Sequence, residues 1–535
     1  MMDSAEFGKE RFMVEEIFTM EDLAQIEEHE LSETEVNRQI SLFEMSPPYL
    51  NLSGPACPGN GIRVFEEEQK KKFLKIYLEE SPSRECLKFV PASGAASRMF
   101  KVLLKALSQD GVVTIGSVSR LVDSGDKDAA QLLDFMKRIR DFAFFSDLNA
   151  CLKMQGLDGE ILVDEGRFTE SIECLLTDDG LGYANLPKGL LKFHQYPEGS
   201  RTPFEEHLVE AAAYVRNEDS TCFLHSTVSP EHMERFRNCL EGVRKLYEKK
   251  YHASFDVTFS IQKNATDTLA VDLNNRPFRQ ADGMLLFRPG GHGSLLQNLN
   301  DLEGDILFVK NIDNVVPDRL KPETFEWKKI MGGYLLFLQS RIFGFLKTLI
   351  SGTVDVDFLE SAESFLEKEL MLPVPASVTS GSLDARKAYL IKRLDCPIRV
   401  CGMVKNAGEP GGGPFWVKDD DGEESFQIVE TAQIDPDSTQ QQDILSASTH
   451  FNPVDLVCGV RDWQGKPFDL PKFVDPNTFF VSEKSKDGRD LKALEHPGLW
   501  NGSMARWITV FVEVPGITFN PVKTVNDLLR NEHQP

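Results

Sequence analysis

The stretch Phe287-Arg-Pro-Gly-Gly-His-Gly-Ser-Leu-Leu296, followed by Phe308-Val-Lys-Asn-Ile-Asp-Asn-Val-Val316, carries the strongest fold signal in this chain. The first part is a glycine-rich turn that holds one histidine. The second is an apolar run that ends in Asn311, Asp313 and Asn314, which is typical of a buried strand that delivers an acid to the edge of a sheet. Asp313 would be well placed there to hold a divalent cation against a phosphate. With a second glycine-containing loop nearer the N-terminus, the pattern indicates an enzyme that handles nucleoside triphosphates.

Composition is that of an ordinary globular protein and argues against binding to DNA or RNA. The chain has 535 residues, of which 41% are hydrophobic and 27% charged, and its net charge is −25. So acidic a surface repels polymeric nucleic acid, whereas a few basic residues in a cleft are enough to bind a small anion. We therefore expect small-molecule partners and no nucleic acid polymer.

Cysteine usage and apolar segments predict a cytoplasmic protein. The nine cysteines contain no Cys-x-x-Cys pair, so neither a disulfide framework nor a zinc site is expected. The N-terminal residues are acidic and lack an apolar signal core. The most apolar long segment, residues 334–350, is interrupted by Arg341 and Lys347, and it is too short and too charged to span a bilayer. It predicts a buried helix, and no membrane partner is expected.

Strand and helix patterns alternate in the middle of the chain and predict an α/β fold. This alternation favours a largely parallel sheet whose ligands bind at the carboxyl ends of the strands. Strands are expected at residues 87–90, 222–227, 255–261 and 305–310. The predicted parts are an N-terminal helical extension (1–80), a core (81–375) with a helical insertion at about 101–185, and a β-rich C-terminal part (376–535).

The segment Pro91-Ala-Ser-Gly-Ala-Ala-Ser-Arg-Met-Phe-Lys101 directly follows the first predicted strand. Its small residues let backbone N–H groups approach a phosphate chain closely, and Arg98 adds a forked positive charge for phosphate oxygens. The segment is neither a Walker A loop nor a Gly-x-Gly-x-x-Gly dinucleotide motif. Taken alone, it is equally consistent with a strand–helix turn whose small residues serve packing.

A short turn further along the chain places a lysine before an apolar pair. It reads Leu186-Pro-Lys-Gly-Leu-Leu-Lys-Phe-His194. Lys188 is a candidate phosphate ligand, although an isolated lysine in a turn is more commonly just solvated. The order and spacing of the motifs, rather than this turn by itself, support the phosphate-binding interpretation.

In that order the motifs resemble those of the nucleotidyltransferase family of GT-A-like fold, and within it the UDP-sugar pyrophosphorylases of the UDP-glucose and UDP-N-acetylglucosamine type. The similarity covers roughly residues 86 to 435. The segments that carry it are Ser93-Gly-Ala-Ala-Ser-Arg98, Pro187-Lys-Gly-Leu-Leu191, Ser260-Ile-Gln-Lys-Asn264, Arg288-Pro-Gly-Gly-His-Gly293, Ile312-Asp-Asn314 and Gln427-Ile-Val-Glu-Thr431. Ser93 and Ala96 stand where the family has glycines, so the chain resembles a divergent bacterial-type branch.

The resemblance implies a fold and an activity. The fold would be α/β and GT-A-like (Rossmann-like), with a mixed, mainly parallel sheet flanked by helices. The activity would be the transfer of a nucleotidyl group, most simply from UTP, to a sugar 1-phosphate, with release of pyrophosphate and dependence on Mg²⁺. The expected partners are therefore a nucleoside triphosphate and a sugar 1-phosphate.

The resemblance also implies roles for individual residues. Asp313 would be the magnesium ligand, Arg98 would stabilise the leaving pyrophosphate, and Lys188 would hold the α-phosphate or the sugar phosphate. Asn314 and Glu430 would contact the sugar. Residues 81–375 would be the nucleotidyltransferase-like catalytic core, and the β-rich part 376–535 would complete the sugar side of the site. The expected nucleotide-binding set is Ala92, Ser93, Gly94, Ala95, Ala96, Ser97, Gln262, Gly290, Gly291, His292 and Gly293.

Several alternatives stay open at this point. The altered opening loop and the long insertion also suit a catalytically silent nucleotide-sugar-binding protein on the same fold. A glycosyltransferase ranks lower, because Asn314 stands where those enzymes place a second acid. His292 could serve only to stabilise its loop, and Asp313 could be a helix N-cap. A late lysine could reach the phosphate, and the candidates are Lys484, Lys486 and Lys523.

Overall fold

The computed structural model describes residues 17–45, 49–94, 96–109, 111–408, 411–419 and 422–535. Its helices, in chain order, are α1 (Met20–Glu28), α2 (Glu33–Leu42), α3 (Glu67–Glu80), α4 (Lys101–Leu107), α5 (Ile115–Asp123), α6 (Lys127–Lys137), α7 (Phe145–Met154), α8 (Gly159–Asp164), α9 (Thr169–Leu176), α10 (Pro203–Tyr214), α11 (Met233–Tyr251), α12 (Leu296–Asn300), α13 (Lys321–Ser351), α14 (Val356–Lys368), α15 (Ala376–Thr379), α16 (Leu383–Leu394) and α17 (Thr439–Ser446).

The strands alternate with these helices through the middle of the chain. They are β1 (Asn51–Pro55), β2 (Cys57–Pro58), β3 (Gly61–Arg63), β4 (Cys86–Pro91), β5 (His194–Tyr196), β6 (Gly199–Arg201), β7 (Thr221–Thr227), β8 (Ser254–Ser260), β9 (Asp267–Leu269), β10 (Phe287–Pro289), β11 (Ile306–Lys310), β12 (Ile398–Lys405), β13 (Gly413–Lys418), β14 (Glu424–Val429), β15 (His450–Phe451), β16 (Asp455–Gly459), β17 (Phe480–Lys486), β18 (Arg489–Glu495) and β19 (Ile508–Glu513).

A ten-stranded central sheet organises the molecule. Its order is β2-β3-β19-β12-β16-β11-β4-β7-β8, with β15 paired to β12. Neighbouring strands are parallel except that β16 runs antiparallel to β11 and β12, and β15 antiparallel to β12. The predicted α/β fold with a mixed, mainly parallel sheet flanked by helices is thereby confirmed.

The strand order reverses beside β4, and this reversal defines a crevice. From β4 the chain adds β7 and then β8 on one side, and it later returns to place β11 on the other side. Ligands of such sheets bind outside the carboxyl ends of the strands at the point of reversal. The loops that follow β4 and β11 therefore border the expected ligand site.

Apolar strands and two long helices form the main core. All five residues of β11 are buried, as expected for a strand covered on both faces. The 31-residue helix α13 packs against α3 and the sheet, and it contains the segment predicted as a buried helix. Arg341 and Lys347 lie on its exposed side. None of the helices in the described part of the chain combines the length and apolarity needed to cross a bilayer.

Helices α4 to α9 lie where the sequence predicts a helical insertion, and they have a core of their own. This shared core includes the buried side chains of Phe100, Phe135 and Phe168. Val522, Val525, Leu528 and Leu529 near the C-terminus join the same cluster. The last residues of the chain therefore cover the insertion.

The central sheet crosses the predicted divisions at residues 80 and 375. Strands β2 and β3 come from the first 80 residues, whereas β12, β16 and β19 come from the last third of the chain. The sequence of a short strand does not show which distant strand it pairs with, so this long-range pairing could not be predicted. The N-terminal and C-terminal parts are thus built into one sheet with the middle of the chain.

Candidate active site

The loop after β4 lies at the crevice and is held by several backbone hydrogen bonds. The N–H of Ala92 donates to the carbonyl of Thr227 (2.8 Å), and the N–H of Ala96 donates to the carbonyl of Leu186 (3.1 Å). The loop was predicted to offer its amides to phosphates, but these two are already bound to protein carbonyls. Among the described residues 92–97, Ser93, Gly94 and Ser97 are exposed. Ala95 lies outside the described residues.

Asp313 lies three residues beyond β11 and is held between two lysines. Lys188 Nζ donates to its Oδ2 at 2.9 Å, and Lys523 Nζ donates to the same oxygen at 3.1 Å. The exposed fraction of the side chain is 8% for Asp313, 13% for Lys188 and 59% for Lys523. Burial would raise the pKa of Asp313, but the charges of the two lysines outweigh it and lower the pKa below its ordinary value. The carboxyl group is therefore ionised, and it organises two cations at the crevice.

The backbone on either side fixes Asp313 in this position. His207, buried on α10, donates from Nε2 to the carbonyl of Ile312 (3.2 Å). The N–H of Val522 donates to the carbonyl of Asp313 (3.1 Å), and Lys188 Nζ also donates to the carbonyl of Val522 (2.8 Å). Three segments distant in sequence therefore meet at one carboxylate.

Asn314, for which a sugar contact is predicted, is buried, and its side chain contacts the C-terminal segment. Its Oδ1 accepts from the N–H of Asn520 (2.9 Å), and its Nδ2 donates to the carbonyl of Thr518 (3.3 Å). Asn314 thus ties the C-terminal segment to the end of β11. Asn520, whose N–H it binds, lies three residues before Lys523.

Among the late lysines, Lys523 is the one brought to Asp313. Lys486 lies on β17, where its Nζ donates to Gln280 Oε1 (2.6 Å), and Lys484 is exposed on the same strand. Lys523 follows the segment that Asn314 holds. Sequence spacing contains no signal for this choice, because it depends on how the last 20 residues pack.

Arg98 borders the same crevice and is free to bind an anion. It is exposed, and within the described part of the chain it makes no hydrogen bond or ion pair. The C-terminal segment approaches it, since the N–H of Val525 donates to the carbonyl of Met99 (3.1 Å). A cavity of about 200 Å³ lies beside it, lined by Arg98, Lys101, Gln131, Phe135, Thr524 and Val525.

The glycine-rich loop at 290–293 packs against residues 495–500. The carbonyl of Gly290 accepts from the N–H of His496 (2.8 Å). A Cβ at Gly293 would collide with the carbonyl oxygen of Pro497, and Gly291 has φ +75°, a conformation that favours glycine. The glycines are therefore required for the backbone to approach this neighbouring segment closely.

His292 of the glycine-rich loop contacts Trp500 and lies near Glu430. Its ring stacks on Trp500 with centroids 4.2 Å apart, and its Nδ1 accepts from the N–H of Leu499 (2.9 Å). The neutral ring must then carry its proton on Nε2, which lies 3.7 Å from Glu430 Oε1. Glu430 also caps a short turn through the N–H of Gln433. Trp500, which sequence reasoning missed, holds the imidazole in place.

Gln262 follows β8 and faces the hairpin that leads into the glycine-rich loop. Its Nε2 donates to Asp267 Oδ1 at 3.2 Å. Asp267 begins β9 and pairs with Pro289 of β10, one residue before Gly290. Gln262 and the loop 290–293 therefore lie close together and form one cluster of candidate site residues. Arg98, Lys188 and Asp313 form a second cluster, and the two are called neighbourhoods below.

Asp313 is able to supply one ligand to a magnesium ion. Both lysines approach Oδ2, and no hydrogen bond from a described residue reaches Oδ1. Magnesium is commonly bound by one or two carboxylates together with substrate phosphates. Among the described residues, no group of three or more His, Cys, Asp or Glu side chains is arranged to hold a metal. Asp313 therefore fits a metal that phosphates would help to bind, rather than a metal held by protein alone.

The structure thus combines a mixed α/β sheet with a crevice at its strand reversal, where Lys188 and Lys523 meet Asp313. The chain belongs to the family described as Domain of unknown function (DUF4301), whose model matches residues 19–534. No match is found among curated proteins.

Solved structures that the chain is similar to include three structures of two UDP-sugar pyrophosphorylases. A UDP-glucose pyrophosphorylase variant from Leishmania major is 13% identical, with 95% of this chain and 77% of that chain covered and a TM-score of 0.43. A second variant, in complex with UDP-glucose, is 12% identical, with 96% and 80% covered and a TM-score of 0.41. The UDP-N-acetylglucosamine pyrophosphorylase from Trypanosoma brucei is 11% identical, with 92% and 74% covered and a TM-score of 0.44.

Proposed function

We propose that this protein is a nucleotidyltransferase that transfers a uridylyl group from UTP to a sugar 1-phosphate and releases pyrophosphate. The observation that carries the proposal is the convergence of Lys188 and Lys523 on Asp313, beside Arg98, at the strand reversal. In a chain with a net charge of −25, such a cationic crevice favours a ligand rich in phosphate. The ordered motifs resembling those of UDP-sugar pyrophosphorylases support the choice of reaction.

The reaction needs alignment and charge neutralisation more than acid–base chemistry. An oxygen of the sugar phosphate attacks the α-phosphorus of UTP, and the bond from that phosphorus to the oxygen bridging it to the β-phosphate breaks. The electron pair leaves with pyrophosphate. The attacking oxygen is already ionised, so no general base is required.

The residues of the crevice divide this work. Lys188 and Lys523 neutralise the α-phosphate and the sugar phosphate, and Asp313 orients both ammonium groups. Arg98 binds the departing pyrophosphate with its planar, forked guanidinium. A magnesium ion bound to Asp313 and to phosphate oxygens would supply further charge neutralisation.

The second neighbourhood binds the nucleoside and the sugar. Gln262 and the amides of the loop 290–293 face the base, and Glu430 accepts hydrogen bonds from sugar hydroxyls. His292 Nε2 lies 3.7 Å from Glu430 Oε1, so a ligand group bound here would be within reach of both side chains. Ser93, Gly94 and Ser97 contribute the free amides of the opening loop.

Pyrophosphate release tests the proposal directly. Purified protein with Mg²⁺ is assayed with each of the four common nucleoside triphosphates against a panel of hexose and N-acetylhexosamine 1-phosphates. We expect release that requires UTP, one sugar phosphate and an intact Asp313, with Asp313→Ala as the inactive control. Folded protein that binds a UDP-sugar tightly but releases no pyrophosphate with any pair would instead identify a catalytically silent binding protein.

A further inference from the structure

The polarity of the Gln262 amide is set by its contact with Asp267. A carboxylate only accepts hydrogen bonds, so the amide nitrogen of Gln262 must be the atom that faces Asp267 Oδ1 at 3.2 Å. The Oε1 atom of Gln262 then faces away from Asp267. Gln262 is only partly buried, so this oxygen is available to a ligand.

Asp267 is itself held by the N-terminal helices. Its other oxygen, Oδ2, accepts from His29 Nδ1 at 3.0 Å. His29 follows α1 and stacks on Phe287 of β10 with ring centroids 4.2 Å apart. Gln39 of α2 accepts from the N–H of Leu269 (2.9 Å) and donates to the carbonyl of Asp267 (3.4 Å). The carboxylate is therefore fixed by both its side chain and its backbone.

The helices are firmly docked on this hairpin. Buried Gln25 exchanges two hydrogen bonds of 2.9 Å with the backbone of Leu285. Arg279 makes two 2.8 Å contacts with the carboxylate of Asp22, and the hydrogen bond from Arg279 is the main reason that the pKa of Asp22 falls to about 2. The N-terminal helices thus form a rigid support for Asp267.

We propose that Asp267 is a positioning residue that determines base specificity through Gln262. With its oxygen turned outward, Gln262 accepts from a base that presents a ring N–H, as uracil does, and it repels a base with a lone pair at that position, as in cytosine. This inference rests on the proposed function and adds to it a role for the N-terminal helices. Removing the carboxylate lets the amide adopt either orientation, because an asparagine both donates and accepts.

Equilibrium binding of UTP and CTP to the full-length protein tests the inference. We expect the wild type to prefer UTP, and Asp267→Asn to reduce that preference by about tenfold or more. A purely structural role would weaken both nucleotides equally and leave the ratio unchanged, which would overturn the inference. Asp282→Asn is the matched control, because Asp282 only closes a turn with the N–H of Met284.

A double-mutant cycle guards against an effect on folding. If Asp267 acts through Gln262, Asp267→Asn changes the CTP-to-UTP ratio in the wild type but not in Gln262→Ala. An equal change in both backgrounds would refute the positioning role. If the wild type binds neither nucleotide, the proposed function and this inference are both overturned. If the wild type prefers UTP and Asp267→Asn leaves the CTP-to-UTP affinity ratio unchanged, only the inference is overturned.

Discussion

Two carboxylates in this molecule are each held by two lysines, yet their surroundings differ. Glu210 of α10 accepts from Lys88 Nζ (2.6 Å) and Lys310 Nζ (2.7 Å), and all three side chains are almost completely buried. Asp313 accepts from Lys188 and Lys523, and Lys523 is largely exposed. The first cluster lies on regular elements inside the fold, whereas the second joins loops at a crevice.

The difference shows how one arrangement of charges suits two purposes. At Glu210 the lysines have no access to solvent or ligand, so the carboxylate must compensate them. Burial lowers the pKa of Lys88 to about 7, whereas the two lysine charges keep the pKa of Glu210 well below its ordinary value even though burial alone would raise it. At Asp313 the exposed lysine is able to turn toward an incoming phosphate. The same set of charges is therefore enclosed in the fold in one place and open to solvent in the other.

The largest expected effect is on stability, from Glu210→Gln. This substitution leaves two buried ammonium groups without a compensating charge, which typically costs about 3–5 kcal/mol. Denaturant unfolding should show a lower midpoint with an unchanged slope. Glu241→Gln, at an exposed position of α11, should change the free energy of unfolding by less than about 0.5 kcal/mol. A similar result for both variants would contradict the buried-cluster interpretation.

The same carboxyl-to-amide change at Asp313 should affect activity rather than stability. Asp313→Asn removes the charge that orients Lys188 and Lys523, and we expect pyrophosphate release to fall by about 10²–10³-fold. Its free energy of unfolding should fall by much less than that of Glu210→Gln, since Lys523 reaches water. Denaturant unfolding curves of Asp313→Asn and Glu210→Gln, measured alongside the activity assay, compare their free energies of unfolding. A loss of stability as large as at Glu210 would mean that Asp313 is a structural residue.

Lys523→Ala should have a smaller effect on the same reaction. Lys188 stays in place and continues to neutralise phosphate, so we expect a loss of roughly tenfold. Lys484→Ala, on the exposed face of β17, is the matched control and should retain full activity. The measurement is the steady-state rate of pyrophosphate release by each variant at saturating substrate concentrations. Equal rates for the two would show that the C-terminal segment takes no part in the reaction.

The smallest expected effect comes from protonation of His225, a buried base. Its ring nitrogens lie 2.8 Å from the hydroxyls of Thr258 and Ser260, and burial lowers its pKa from 6.5 to about 4. The unfolded chain therefore takes up the proton first as the pH falls, and folding stability decreases below pH 6.5. We expect a loss of about 1 kcal/mol between about pH 7 and pH 5.5.

Comparison with a variant that does not titrate isolates this contribution. His225→Gln preserves hydrogen-bonding capacity, and its free energy of unfolding should fall less steeply over the same pH range. Chemical denaturation at several pH values gives both slopes. Parallel slopes would show that His225 contributes nothing to the acid sensitivity.

Periodicity determined much of the fold without help from tertiary structure. The runs around Phe89, Leu224 and Phe308 are strands of the central sheet, and the apolar segment around Leu338 is a buried part of α13. These signals are local, because a strand covered on both faces must be apolar throughout and a helix must repeat its apolar residues every three to four positions.

Long-range packing decided what the pattern could not. The choice of Lys523 among the late lysines, the engagement of Asn314 with Asn520, and the stacking of His292 on Trp500 each join segments that lie about 200 residues apart. Contacts at such separations leave no local periodicity. The sequence by itself thus determined the elements and named Asp313 and Lys188. Only the tertiary structure decided which further groups reach them, because that depends on how the C-terminal segment folds back over the end of β11.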